Sequence, residues 1–564
     1  MTRTKGQHIL LLLLLFTSVF CPAGAQSWVK KAAKAVFTLK TFDAQGQLLG
    51  SGHGVFTGER GEALSSFEPF RGAVSAVVID AAGKEWPVSV MLGANGTYDV
   101  AKFRVEGKKF PTVSLSTAGV SAGAAVWLLP YREQKQATGG EVVRAETFGQ
   151  GYDYYTVRMK MPQDGVGLPL LNGAGELLAL MQQPATSQDT LCYAVSARFA
   201  DSLKTTGLSI NDPVLRSTAI RKALPDDLAQ AQLSLFVAAS ALDSAQYALL
   251  LEDFIAQYPQ EPDGYVSRAQ LAANADRYAD ADADMQHALR LTEKDATRNA
   301  ETHYSYSRLV FQKVTYRPEP PYDSWTLERA LQEAEAAYAA DPQPAYRQQQ
   351  AYVCYAQKHY GEAADIYEGL YSTLLRSPEL FFEASRCRLM QGDTLRQLAL
   401  LDSAVALFSR PYLKEAAPYI LARAQARIEA AKWRDGVNDL NDYETLMAAQ
   451  VNDNFYYLRF QAEQGGRLFQ QALNDIAKAI AMNPGQEVYY AEKASLEVRV
   501  GLYDEAVTTA QECIRLAPEY SDGHLFLGLA RCLKGEKEEG VKSLVKAKEL
   551  GDPQAEGLIE RYGK

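Results

Sequence analysis

The chain has 564 residues, of which 47% are hydrophobic, and its net charge is −10 at pH 7. A chain of this length is too long for a single hydrophobic core, so it is expected to fold as several domains. The acidic balance, and the lack of a lysine- or arginine-rich patch with interleaved aromatic residues, argue against nucleic acids and anionic membrane surfaces as partners.

The N-terminus has the pattern of a secretory signal peptide. A basic start precedes an apolar run over residues 9–20, and small side chains follow at Ala23 and Ala25. That run is too short to span a bilayer comfortably, so we expect residues 1–25 to be a signal peptide that is cleaved after Ala25. The mature protein would then be exported to the bacterial periplasm or the cell surface. A retained membrane anchor and a lipid anchor on Cys21 are the alternatives.

Residues 26–208 have the pattern of an all-β domain. Short runs rich in β-branched and aromatic residues alternate with turn signals that contain Gly, Asn and Asp, which favours an antiparallel barrel over βαβ units. The predicted strands cover residues 36–42, 73–80, 86–92, 100–105, 125–129, 154–161 and 177–181.

Three segments of this region resemble, in order, the catalytic motifs of trypsin-like serine proteases. Residues 61–68 resemble the strand and turn that carry the base histidine, residues 98–103 the aspartate strand, and residues 164–172 the nucleophile turn. Residues 49–56 are similar to the glycine-rich strand that precedes the histidine turn in that family. The resemblance covers about a third of the chain and implies a double β-barrel.

Carried over by position, the family's histidine falls on Glu68, its aspartate on Asp99 and its serine on Val166. Valine has no nucleophilic atom, and a glutamate beside an aspartate gives two like charges with nothing to activate. Asp164 and Leu168 also stand where the nucleophile turn has glycines, and a carboxylate there would oppose an oxyanion. We therefore expect a pseudoprotease without catalytic residues.

Two further residues of the barrel region have chemically reactive side chains. His53 is the only histidine in this region and lies in the glycine-rich strand, and Cys192 lies on a strand-like run. No motif places a nucleophile beside His53, and a lone cysteine on a strand is most often a small buried residue. A Cys–His pair, or a pair of carboxylates at Glu68 and Asp99, is the basis of the alternative that a rebuilt hydrolase site exists.

The cysteines do not indicate a disulfide framework. Five remain after the predicted cleavage site, an odd number that is sparsely spread over a long chain. None has metal-ligand spacing to a histidine or to another cysteine. We expect neither a metal nor a cofactor.

After a linker over residues 209–224, helical patterns repeat to the end of the chain. Pro484 and Pro518, which lie 34 residues apart, each end a predicted helix pair. Small and aromatic residues recur in one register: Ala494, Gly501, Tyr503 and Ala506; Ala269, Tyr278, Ala281 and Ala288; Ala351, Tyr360 and Ala363; Ala424, Trp433 and Gly436; and Gly528, Gly535, Gly540 and Ala547. This register resembles the tetratricopeptide repeat and implies an all-α solenoid over 225–564. The 34-residue period is unclear over residues 295–330 and 373–418, which contain insertions.

The family's groove offers candidate binding residues. In its register the groove-facing positions fall on Gln270, Asn274, Tyr352, Tyr355, Gln425 and Arg499. Amide, phenol and guanidinium groups can hold a peptide backbone or a carboxylate, whereas the alternative for each residue is an ordinary solvated surface. No repeated basic clamp is present, so a groove dedicated to carboxylates is not supported.

Two classes of function compete. The first is an exported, non-catalytic scaffold that binds protein or peptide partners through the solenoid in an envelope-associated assembly. The second is a hydrolase, of the serine-protease or another type, with a rebuilt active site. The valine at position 166 favours the first class, because an acyl-enzyme route needs a nucleophile there. Peripheral association with the cell envelope is one option, and the oligomeric state is left open.

Overall fold

A computed structural model describes residues 25–129, 136–182 and 190–563. The predicted signal peptide, apart from Ala25, lies outside the described residues. The chain divides into two compact units between Leu291 and Thr292. Within the described ranges, no helix is both long enough and apolar enough to cross a membrane.

The strands that the structure describes close into two antiparallel barrels of six strands each. They are β1 Val36–Phe42, β2 Leu48–Phe56, β3 Glu62–Ser65, β4 Ser75–Ile79, β5 Glu85–Asn95, β6 Val100–Val105, β7 Ala125–Leu128, β8 Thr138–Phe148, β9 Tyr152–Arg158, β10 Pro169–Leu171, β11 Leu177–Met181 and β12 Leu191–Ser196. The strand order around the first barrel is β1-β2-β3-β6-β5-β4, and around the second it is β10-β11-β12-β9-β8-β7. The predicted all-β double barrel is therefore confirmed.

One continuous apolar core fills both barrels. In the first barrel the rings of Phe37 and Phe56 lie 4.8 Å apart, and Phe56 stacks on Phe110 at 4.4 Å. In the second barrel all five side chains of β11 are buried. Offset and tilted aromatic pairs of this kind add to the stabilisation that burial of their surface gives.

Strand β8 was not predicted from the sequence. Thr138–Phe148 contains Gly139, Gly140 and three charged residues, and Val142 is its one buried side chain. It is nevertheless held on both sides, since it pairs with β7 and with β9. Pairing between strands thus overrides a composition that is unfavourable for a strand.

The described helices begin with the short α1 Ala25–Ala32 and α2 Pro213–Arg216. The longer helices are α3 Leu228–Ala241, α4 Ser244–Gln257, α5 Pro262–Asn274, α6 Tyr278–Thr292, α7 Ala296–Tyr316, α8 Leu327–Ala340, α9 Pro344–Ala356, α10 Tyr360–Gly369, α11 Pro378–Met390, α12 Thr394–Ala406, α13 Ala417–Glu429, α14 Trp433–Met447, α15 Asp453–Gly465, α16 Phe469–Met482, α17 Glu487–Val500, α18 Tyr503–Leu516, α19 Ser521–Lys534, α20 Lys537–Glu549 and α21 Ala555–Tyr562. Consecutive helices such as α11 and α12, or α17 and α18, pack as pairs. The predicted all-α C-terminal part is confirmed.

The register of the repeat agrees with the helix ends. Gly501 and Gly535 end α17 and α19 in the left-handed conformation, at φ +85° and +99°, which favours glycine. Ala281 and Ala506, predicted at helix crossings, are fully buried. The blurred segment 373–418 contains the ordinary pair α11 and α12, followed by a longer loop to α13.

Arginine–aspartate pairs tie the two helices of several pairs together. In each case the aspartate follows the arginine by sixteen residues: Arg268–Asp284, Arg423–Asp439 and Arg459–Asp475. Arg268 and Arg423 immediately precede Ala269 and Ala424 of the repeat register. Two guanidinium nitrogens contact the carboxylate in each pair, the geometry in which arginine binds a carboxylate most strongly. These contacts fix the crossing of the two helices and so the face that the first helix presents.

The segment predicted as a linker lies against the first barrel. The Gly72 amide donates a hydrogen bond of 2.6 Å to the Ser217 carbonyl, and the Met91 amide donates one of 2.7 Å to the Arg221 carbonyl. The segment is therefore attached to the barrel by main-chain hydrogen bonds. The domain boundaries that we drew at residues 208 and 225 stay a prediction.

Candidate functional site

The structure brings two of the three triad-equivalent residues together. Asp99 closes the turn between β5 and β6 at φ +48°, a conformation that aspartate tolerates better than most residues. One oxygen of its carboxylate accepts hydrogen bonds from the amides of Phe67 and Glu68, at 2.8 and 2.7 Å. Burial raises the pKa of Asp99, these two amides oppose that rise, and the charge of Glu68 adds to it. Asp99 therefore holds the main chain of the turn in which Glu68 lies.

Glu68 points to a different partner. Its carboxylate accepts a hydrogen bond of 2.6 Å from the Arg71 guanidinium, and its side chain is 70% exposed. The Arg71 guanidinium also lies 5.3 Å from the centre of the Phe67 ring. This ion pair is a surface contact of modest strength.

Val166 lies in the turn that precedes β10. Its carbonyl accepts a hydrogen bond of 3.3 Å from the His53 amide, so the turn lies on strand β2. The next residue, Gly167, has φ +80°, and a Cβ added there would lie 2.2 Å from the His53 carbonyl oxygen. The position after Val166 therefore requires glycine for close approach of the two main chains.

His53, the candidate base from the sequence, lies beside this turn. The Nε2 atom of His53 is 3.5 Å from a carboxylate oxygen of Asp164, and the His53 residue is only 4% exposed. The Ser65 hydroxyl donates a hydrogen bond of 2.6 Å to the main-chain oxygen of His53, not to its ring. Gly52 lies against Ser66 and Pro69, since an added Cβ would be 3.4 Å from both. The Val166 turn, His53 and the turn before Glu68 are thus neighbours.

Cys192 lies in the interior of the second barrel. It is 1% exposed, and its sulfur is 3.5 Å from the Met159 carbonyl oxygen. This is the environment of a small buried residue, as the sequence predicted for a lone cysteine on a strand. All five cysteines of the described residues are buried, and none of them forms a disulfide bond within that part of the chain.

The predicted groove residues lie on the first helices of their pairs. Gln270 and Asn274 are exposed on α5 and joined by a hydrogen bond of 3.2 Å. Gln425 is exposed on α13, and Arg499 is exposed on α17 with its guanidinium 5.6 Å from the Phe469 ring. All four side chains are exposed. Their role in binding stays a prediction.

Tyr352 and Tyr355 lie together on α9 and contact residues that the sequence did not single out. Arg386 donates a hydrogen bond of 3.2 Å to the Tyr355 hydroxyl, and its guanidinium lies 5.0 Å from that ring. Burial raises the pKa of Tyr352, and the charges of Glu383 and Glu379 raise it further. Glu379, Glu383 and Arg386 lie on α11. Their positions in the repeat could have been predicted if α11 and α12 had been recognised as a regular helix pair within 373–418.

Three curated relatives show what the helical part is similar to. The small glutamine-rich tetratricopeptide repeat-containing protein 2 of Saccharomyces cerevisiae is 30% identical over 95 residues, which cover 17% of this chain and 28% of the relative. Human DnaJ homolog subfamily C member 7 is 28% identical over 124 residues, 22% of this chain and 24% of the relative. The Hsp70-Hsp90 organizing protein of Triticum aestivum is 28% identical over 90 residues, 16% of this chain and 15% of the relative. The chain thus spans between 15% and 28% of the length of these relatives.

Two solved structures are similar at low overall scores. The active form of the Rv3671c protease from M. tuberculosis has a TM-score of 0.28 and 19% identity, and covers 32% of this chain and 85% of its own. The serine endoprotease from Yersinia pestis has a TM-score of 0.27 and 18% identity, and covers 34% of this chain and 65% of its own. No protein-family profile matches the sequence.

The architecture itself agrees with both resemblances found in the sequence. Two closed six-stranded barrels occupy the N-terminal part, and successive helix pairs occupy the C-terminal part of the described chain. The helix pairs also have relatives that are named for the tetratricopeptide repeat. The chain therefore joins two closed six-stranded β-barrels to a series of helix pairs, the architecture that the two resemblances found in the sequence imply.

Proposed function

We propose that this chain is a non-catalytic scaffold that binds other proteins. The observation that carries the proposal is the bonding of Asp99, whose carboxylate accepts two main-chain amides while Glu68 pairs with Arg71. In the protease mechanism the aspartate orients an imidazole that takes a proton from serine. Here the aspartate has a structural task, since it holds the turn that contains Glu68.

The Val166 turn supports the same proposal. An acyl-enzyme needs an oxygen or sulfur nucleophile, and the valine side chain has neither. Asp164 beside this turn would place negative charge near an oxyanion, which opposes the stabilisation that such a site must supply. The barrels would then serve as a binding or spacer module.

The helix pairs are proposed as the part that binds partners. Their first helices present accessible polar and aromatic side chains, Tyr352 and Tyr355 among them. The similarity to proteins named for tetratricopeptide repeats supports polypeptide partners. Export and an envelope-associated assembly are part of the proposal, on the strength of the signal-peptide pattern before Gln26.

One observation favours the alternative of a rebuilt hydrolase. His53 lies 3.5 Å from Asp164, and this pair adjoins the Val166 turn. A histidine oriented by a carboxylate is the pattern of a general base. Such an enzyme would still need a nucleophile or an activated water in front of the imidazole.

The two functions are distinguished by labelling the full chain with a fluorophosphonate probe and by following hydrolysis of casein and peptide esters. The scaffold predicts no labelling and no hydrolysis, with active trypsin as the positive control. Restoring the triad with Glu68→His and Val166→Ser is expected to give little activity, because Asp164 and Leu168 leave the oxyanion turn unrepaired. Stoichiometric labelling that disappears in His53→Gln would establish the hydrolase instead.

A further inference from the structure

The first helices of three successive pairs, α9, α11 and α13, place acidic and aromatic side chains against one another. The Tyr419 hydroxyl donates a hydrogen bond of 2.8 Å to a carboxylate oxygen of Glu379. Arg386 bonds to both oxygens of Glu383 at 3.2 Å and to the Tyr355 hydroxyl. We call the group formed by Tyr352, Tyr355, Glu379, Glu383 and Tyr419 the acidic recess.

The acidic recess has more negative than positive charge. It contains two carboxyl groups, those of Glu379 and Glu383, and one neighbouring guanidinium, that of Arg386. The Glu383 side chain is only 13% exposed. Burial raises the pKa of Glu383, the positive charge of Arg386 opposes the rise, and Glu379 adds to it. A further cation beside Glu383 would therefore favour the charged form of its carboxyl group.

A buried hydroxyl behind the acidic recess is a second, independent feature. Tyr367 is fully buried, and its hydroxyl has no hydrogen-bond partner among the residues that the structure describes. Its ring meets the Tyr352 ring edge-on, with centres 5.9 Å apart, and Glu383 is the charged group that acts on it most strongly. Buried hydroxyls are rarely left unpaired, so one at this place points to a polar ligand group.

We propose that the acidic recess binds a lysine or arginine side chain of an extended polypeptide segment. This inference rests on the proposed scaffold function and adds the chemistry of the partner. Glu379 and Glu383 bind the cationic head, and the rings of Tyr352 and Tyr355 cover its methylene stem.

A chain-terminal carboxylate does not fit the same place. Arg386 is the guanidinium in contact with the recess, and it already bonds to Glu383 and to the Tyr355 hydroxyl. Binding a carboxylate there would add a third negative group beside Glu379. Complementary charge therefore selects a cationic side chain, and selection by charge acts on partner choice as much as on affinity.

The test uses the full chain and a panel of fluorescent peptides that share one extended sequence and differ in a central side chain: lysine, arginine, acetyl-lysine, citrulline or glutamate. Fluorescence anisotropy gives the Kd of each peptide. We expect the lysine and arginine peptides to bind about tenfold or more tightly than their neutral counterparts. The double variant Glu379→Gln with Glu383→Gln should remove this preference, because the amides keep the shape and lose the charge.

The control variant is Glu538→Gln with Glu549→Gln, which removes the same charge from α20, where these side chains are 88% and 60% exposed. It should keep the preference for lysine and arginine. Circular dichroism melting checks that both variants are folded, and the acetyl-lysine peptide tests the charge on the unaltered chain.

Equal binding of the lysine and acetyl-lysine peptides would overturn the inference and leave the scaffold function standing, because polypeptide would still be bound. Equal loss in the control variant would also overturn it, since it would show a long-range effect of net charge. Cleavage of the peptides would contradict the scaffold function itself, and binding of none of them would contradict both.

Discussion

The amide of Glu68 donates a hydrogen bond of 2.7 Å to the carboxylate of Asp99. The same carboxylate oxygen accepts the Phe67 amide, so one side chain fixes two consecutive main-chain groups. Asp99 is the one triad position whose residue type agrees with the protease motif. In the proposed scaffold its role is structural, since its carboxylate bonds to the main chain of the turn that contains Glu68.

Replacing Asp99 tests that explanation. Asp99→Ala should lower the free energy of unfolding by about 1–3 kcal/mol, because two amides lose their acceptor. Asp99→Asn should cost less than about 1 kcal/mol, since asparagine keeps an accepting oxygen and tolerates the left-handed conformation at φ +48°. Urea denaturation of both variants provides the comparison. Equal losses would show that the accepting oxygen contributes nothing.

A glycine at the crossing of α19 and α20 should not tolerate a side chain. A Cβ at Gly540 would lie 2.4 Å from the Cys532 sulfur and 2.8 Å from the Gly528 carbonyl oxygen. We expect Gly540→Ala to lower the free energy of unfolding by about 1–3 kcal/mol, because the two helices must move apart.

The matched control is Gly557→Ala, inside α21. A Cβ there meets nothing within 4 Å, so the variant should be neutral or gain about 0.5–1 kcal/mol from helix propensity. Thermal melting of the two variants is the measurement. A stabilised Gly540→Ala would show that the helices do not cross as closely as described.

Two arginine–aspartate pairs with the same spacing should differ in strength because they differ in burial. The Arg459 and Asp475 side chains are both 4% exposed, whereas Arg268 is 38% exposed. Arg459→Met should cost about 3–5 kcal/mol, since Asp475 and Glu444 both lose their guanidinium partner and the buried Asp475 keeps only Lys478, at 3.2 Å. Arg268→Met should cost about 1 kcal/mol or less.

The double variant Arg459→Met with Asp475→Leu replaces both charged members of the buried pair by apolar side chains. It should regain most of the stability that Arg459→Met loses, because the buried carboxylate of Asp475 is removed together with its guanidinium partner. Chemical denaturation gives the three free energies. A double variant as unstable as the single one would contradict this account.

Glu463 should make the stability of the helical part fall as the pH rises. Burial raises the pKa of Glu463 to about 8, and Asp475 adds to the rise, whereas Arg459 opposes it. The folded chain therefore holds a proton that the unfolded chain releases above its ordinary pKa of 4.5. This contribution is complete below the ordinary pKa and is lost as the pH rises through about 8.

Glu463→Gln removes this titration. The variant should gain about 1–3 kcal/mol over the natural chain between about pH 6 and about pH 9, measured by urea denaturation across that range. Parallel curves for the two proteins would show that Glu463 is already charged in the folded state.

Much of the fold could be predicted because it depends on local pattern. Alternation and turn residues locate β1 and β6 with their observed ends, and the glycines before Leu502 and Glu536 end helices as the register predicts. Strand β8 was not predicted, since only its pairing with β7 and β9 makes Thr138–Phe148 a strand. Local composition does not contain that information.

The candidate sites were harder to predict because they join distant residues. The acidic recess combines Tyr352, Glu383 and Tyr419 from the three helices α9, α11 and α13. Helix α11 lies within residues 373–418, where the 34-residue period is unclear, so its place in the repeat was not predicted. The arginine–aspartate spacing of sixteen residues, by contrast, recurs in the sequence, so these contacts between paired helices could have been predicted. A side chain's partner becomes predictable from sequence only where the repeat places both members in one register.

The most direct test of the scaffold proposal is to incubate the full chain with a peptide library, separate bound from free peptides by size exclusion, and sequence both fractions by mass spectrometry. The account predicts a bound fraction of intact peptides enriched in lysine and arginine, and no new peptide termini in either fraction. Cleavage products with a consistent cut site would contradict it, and would identify the barrels around His53 and Val166 as an active enzyme.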